Sequence, residues 1–191
     1  MLNIKLRDTG IRGKALCLLD DIHLLVYYKC EFRLISLSEN KVESRFVLPA
    51  KKWKRTLSRI RLCERLLHME PRWGLPLDER HAIISFSNRF FEVDVYTGEF
   101  QEEIVGAKGK PLNICHIDDV PGFEPSYVVG DYFSNPNRED VKLYSRSKND
   151  LEWKTAYVFP AGTIRHIHNI VPDKENQRVL ILTGDDDIRR K

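Results

Sequence analysis

Residues Val141 to Asp187 read VKLYSRSKNDLEWKTAYVFPAGTIRHIHNIVPDKENQRVLILTGDDD. Three short runs within this stretch, Val141–Tyr144, Ala156–Phe159 and Val179–Thr183, are rich in β-branched or aromatic residues. Asn, Asp, Gly or Pro closes each of them, which is how strands and turns alternate in an all-β protein. Chemically capable side chains gather where the runs end: the tetrad Arg165-His166-Ile167-His168 and the aspartates Asp185, Asp186 and Asp187. A functional site is expected here before anywhere else in the chain.

The same grammar extends towards the N-terminus. From His23 to Pro49 the sequence HLLVYYKCEFRLISLSENKVESRFVLP holds three apolar runs, Leu24–Tyr28, Phe32–Leu37 and Val42–Leu48. Breaks at Lys29–Glu31 and Ser38–Lys41 separate them, which predicts a three-stranded meander. A second copy starts at His81. An offset of 58 positions carries Phe32 onto Phe90, Ile35 onto Val93, Leu37 onto Val95, Asn40 onto Gly98 and Val42 onto Phe100. Asn and Gly most readily accept a positive φ, so the match includes turn chemistry. A third unit starts near Ser126 and a fourth at Thr163. Repetition over tens of residues predicts a propeller or another repeat array.

One segment departs from this pattern. Between Pro49 and Pro71, Leu57, Ile60, Cys63 and Leu67 recur at helical spacing, predicting a helix from about Arg55 to His68. Seven basic residues lie between Lys51 and Arg65 against one acid, Glu64. Such a patch suits an anionic polymer. With only Trp53 and Trp73 as nearby aromatic stacking partners, a solvated helix face is the favoured reading and no nucleic-acid partner is expected.

Composition sets the outer bounds. The 191 residues, 42% hydrophobic and 31% charged with a net charge of +3, suit one soluble domain spanning 1–191. No apolar run approaches the ~20 residues that span a bilayer, and the first residues show no signal-peptide core, so a cytoplasmic location is expected. Cys17, Cys30, Cys63 and Cys115 form no C-x-x-C pair and are expected as reduced thiols. No P-loop, G-x-G-x-x-G or G-x-S-x-G occurs, and no cofactor is expected.

The turn SRSKNDLEWKT resembles the Asp-box of sialidases and related neuraminidase-repeat proteins, with Ser147, Asn149 and Trp153 at matching positions. Asn149 stands in place of the Asp, Leu151 in place of the Gly, and the spacing to Trp is one residue short. The Asp-box is a folding device: its acid bonds turn amides and its aromatic packs between blades. The longer run from YFSNPNREDVKLY to VLILTGDDD also resembles uncharacterised glycosidase-like bacterial propeller proteins. The resemblance implies a partial β-propeller of about four sialidase-like blades with one inserted helix, and an acidic glycan or polysaccharide as partner. It assigns no catalytic residues: Arg165 suits one arginine of the sialidase triad, and no other two are matched.

The ligand-binding candidates are therefore Arg165, His166, His168, Asp185, Asp186 and Asp187. In a strand, residues two apart share a face, so both imidazoles can meet one ligand. Two histidines and a carboxylate also form a drawable metal site, but turn-bonding aspartates and a packed histidine account for the same residues, and no metal is expected. For glycoside hydrolysis the candidate carboxylates are Glu124, Asp131 and the three terminal aspartates. The alternative function is a non-catalytic scaffold, or a fragment of a larger propeller. The last unit reads as cut short, and its open sheet edge is expected to promote self-association.

Overall fold

Alternation and turn chemistry produce fourteen strands and one short helix among the described residues of a computed structural model. It describes residues 10–184 apart from 51, 58, 59, 61, 62, 64–69, 104, 149 and 151. The strands make four antiparallel sheets, none closed on itself. β1 (Lys14–Leu18), β2 (His23–Tyr28), β3 (Glu31–Ser36) and β4 (Lys41–Phe46) form the first in sequential order. β5 (Gly74–Pro76), β6 (His81–Phe86), β7 (Arg89–Asp94) and β8 (Phe100–Glu103) form the second. β9 (Cys115–Ile117), β10 (Ser126–Gly130), β11 (Val141–Ser147) and β12 (Lys154–Phe159) form the third. β13 (Ile167–Asp173) and β14 (Arg178–Thr183) pair alone.

Each meander of three expected strands thus carries a fourth, short strand on its N-terminal side. β1, β5 and β9 are five, three and three residues long. So short a run shows no periodicity, and pairing to β2, β6 and β10 holds each in place. The helix expected from about Arg55 to His68 is not seen. Most of that range lies outside the described residues, and α1 covers Lys52–Leu57. None of the described helices is long and apolar enough to cross a membrane.

The chain forms two compact units, the first running to Ser87 and including Phe91–Gln101, the second holding Asn88–Phe90 and Glu102 onward. In the first, Phe32 is fully buried as an aromatic hub. Its ring stacks on Phe46 at 5.2 Å and meets Tyr27 and Phe86 edge-on at 5.2 and 5.4 Å. Edge-to-face pairs of this kind add about 0.5–1.5 kcal/mol each beyond area burial. In the outer strand β4, Val42, Ser44 and Phe46 turn inward and Lys41, Glu43 and Arg45 outward, the period-two signature of a half-covered strand. The second unit packs its own core from Val128, Val141, Leu143, Ile167 and Ile170.

The 58-residue offset recurs in the backbone. It carries β2 onto β6 and β3 onto β7, end for end. Lys29 and Cys30 have φ of 51° and 66°, and their counterparts Ser87 and Asn88 have 55° and 64°. Two consecutive positive φ values make the primed turn that matches strand twist. Asn40 and Gly98, at φ 52° and 76°, turn the next corner. Asp20 Oδ1 accepts the amides of Ile22 and His23, just as Asp78 Oδ1 accepts those of Arg80 and His81. All four cysteines are free thiols. Burial pushes Cys17 to about 12 and Cys115 to about 11, which leaves both without thiolate reactivity at neutral pH.

Candidate functional site

The site of the second unit is built from the start of β13 and the loop that follows β10. Asp131 closes β10 and is fully buried. Its Oδ1 accepts the Lys108 amide at 2.6 Å and its Oδ2 the Lys142 amide at 2.9 Å, while its carbonyl accepts the Ile167 amide at 3.0 Å. Burial raises its pKa above the usual carboxylate value, and the amide hydrogen bonds pull the other way. Four residues on, Asn135 is also buried, and its Oδ1 accepts the Glu139 amide at 2.7 Å. Its Nδ2 donates to the Arg165 carbonyl at 2.9 Å. Two backbone anchors therefore bracket His166: Asn135 on Arg165 and Asp131 on Ile167.

Held in this way, His166 is buried and faces His168, with the two Nε2 atoms 2.9 Å apart. The Tyr132 ring packs against both imidazoles, at 4.6 Å from His166 and 5.5 Å from His168. A register shift between Ile167 and Asn169 places a bulge at this point of β13, a device that re-aims side chains. Gly184 lies so close that a Cβ there would sit inside van der Waals contact of the His168 ring. Arg165 is half-buried, and its Nε has no hydrogen-bond partner among the described residues.

Of the six expected binding residues, the structure brings His166 and His168 together, with Arg165 the residue before them in the chain. Asp185, Asp186 and Asp187 lie outside the described residues. Among the carboxylates considered for hydrolysis, Asp131 has both oxygens committed to backbone amides, and Glu124 is exposed. Tyr132 and Asn135 were not singled out for the site by their residue types. The one signal was their position just after a buried strand, since loops beyond strand ends carry function disproportionately. Among the described residues, no group of three or more His, Cys, Asp or Glu is arranged to hold a metal ion.

At the turn that resembles an Asp-box, residues 149 and 151 lie outside the described residues. Asp150 Oδ1 accepts the Glu152 amide at 3.0 Å. Trp153 is buried and donates its indole N–H to Glu103. Glu103 also pairs with the buried Arg146 at 2.9 Å. Searched against protein-family models and against curated proteins, the chain matches none.

Proposed function

We propose that this chain is a sialidase-like β-propeller, complete or partial, that binds an acidic glycan at the strand-end site formed by Arg165, His166, His168 and Tyr132. Three successive four-stranded up-and-down sheets, two of them related by a 58-residue repeat, support the architecture. The observation that carries the site is the imidazole pair, bracketed by Asp131 and Asn135 and covered on one side by the Tyr132 ring. Aromatic rings and fixed polar donors are the usual means of orienting a small polar ligand. Arg165 adds a planar fork suited to a carboxylate. No turnover is proposed, because among the described residues the buried acid beside the pair, Asp131, uses both oxygens to hold the backbone.

Binding of sialylated and uronate-containing oligosaccharides to the wild-type chain and to Arg165→Ala, His166→Ala and His168→Ala tests this reading. Arg165→Ala is expected to cost about 1.5–3 kcal/mol of binding, the scale of a hydrogen bond to a charged group. Melting curves run on the same variants separate binding from folding. Loss of melting temperature with unchanged glycan affinity would remove the site and leave a second reading, an interaction scaffold. That second reading draws support from β14, whose outer edge pairs with no other strand among the described residues.

A further inference from the structure

We propose that His23 is a pH-sensitive latch of the first unit, a charged strut tying the β1–β2 turn to β4 beside the β7–β8 turn. Its Nδ1 lies 2.6 Å from Asp20 Oδ2 and its Nε2 3.2 Å from Glu43 Oε2. A neutral imidazole has one N–H and can donate to one of these carboxylates; the imidazolium donates to both. Each carboxylate is placed by the backbone. Asp20 is fixed by the amides of Ile22 and His23, which its other oxygen accepts. Glu43 falls at the register shift of the β3–β4 pairing, where Leu34 faces Ser44 and Ile35 faces Val42. It is the extra residue of a bulge, and bulges redirect side chains.

The repeat shows that this arrangement is particular to one sheet. Offset by 58, His81 meets Asp78 in the same turn, but Gln101 stands at the position of Glu43. Of these two sheets, and among the described residues, the first closes the bridge on both ring nitrogens and the second on one. The first does so at a seam. Tyr96 approaches the His23 ring edge-on at 6.4 Å, the Ser44 hydroxyl donates to the Val95 carbonyl, and Gly98 lies against Phe46.

The charges around the seam agree with the geometry. The Asp20 hydrogen bond first, and Glu43 after it, hold His23 above the usual imidazole value despite partial burial. His23 in turn holds Asp20 below the usual carboxylate range. Tyr96 is raised by burial, Glu43, Asp20 and Glu79, with Arg80 opposing. The His23 contribution is therefore complete below about pH 6.5 and is lost as pH rises through its folded-state value. At the acid end the link fails as pH falls through the lowered value of Asp20.

Imidazole NMR titration of the full chain tests the latch. The His23 midpoint is expected above ~6.5, and the amides of Tyr96, Thr97 and Gly98 are expected to shift with the same midpoint. In Glu43→Gln, which keeps Asp20 and the bulge, the His23 midpoint is expected to fall and the response of those amides to shrink. His23→Gln is expected to reduce the fall in melting temperature as pH rises from 6 to 9. Should His23→Gln not fold, Glu43→Gln decides alone. An unchanged midpoint in Glu43→Gln, or seam amides that ignore the titration, overturns the proposal.

Discussion

His166 and His168 face each other with their Nε2 atoms 2.9 Å apart, so one nitrogen offers a hydrogen and the other a lone pair. The contact joins the residue before β13 to a residue inside it. It persists because Asp131 and Asn135 hold the backbone on either side of His166.

Gly184 packs directly against the His168 ring of that pair. Replacing it with Ala puts a methyl group into the space of the His168 ring, where Cβ contact is already too close. Gly184→Ala is expected to displace His168, shift the ring resonances of both histidines and Tyr132, and weaken acidic-glycan binding at least about tenfold, or ~1.4 kcal/mol. Unchanged histidine resonances would show that the ring has room to spare.

Gly98 adds a packing constraint to the positive φ that it shares with its counterpart Asn40. Its φ is 76°, and an added Cβ would come within 2.5 Å of Phe46 Cβ. Gly98→Ala is expected to cost about 2–4 kcal/mol, from left-handed strain and overpacking together. Asn40→Gly stays within about 1 kcal/mol, since both residues accept that conformation. Urea unfolding with matched slopes measures both, and a loss below ~1 kcal/mol for Gly98→Ala would contradict the packing.

The ion pair of Glu103 and Arg146 is buried on both sides, and the Arg146 guanidinium lies 5.2 Å from the Tyr127 ring and 6.0 Å from that of Trp153. Glu103→Ala removes the carboxylate paired with a buried cation and is expected to cost about 3–5 kcal/mol. The double variant Glu103→Leu/Arg146→Met is expected to be more stable than Glu103→Ala, because it removes both charges. A double-mutant cycle on chemical unfolding provides the number, and simple additivity would argue against a coupled pair.

β14 reads RVLILT, with Arg178 as its one charged residue and Leu182 exposed. An outer strand with so few charges invites pairing with another chain. The expected outcome is concentration-dependent self-association at micromolar levels in sedimentation, reduced by Leu182→Lys. A wild-type chain that stays monomeric throughout that range would count against the scaffold reading.

Local chemistry was legible in the residues themselves. Asn40 and Gly98 marked equivalent corners and the 58-residue offset aligned two meanders, because turn preference and strand alternation act over a few positions. The spacing of His166 and His168 put the two imidazoles near each other, but the bulge that seats them at the start of β13 was not legible. β1, β5 and β9 were not legible: three to five residues carry no period, and their extended form depends on the strand beside them. The surroundings of the site were hidden for the same reason. Asp131, Tyr132 and Asn135 lie some thirty residues or more before the histidines they hold or cover, as His166 follows Asp131 by 35 positions. Glu43 reaches His23 only through a bulge in β4. Contacts between such distant positions depend on sheet register and packing, and only the tertiary structure decides those.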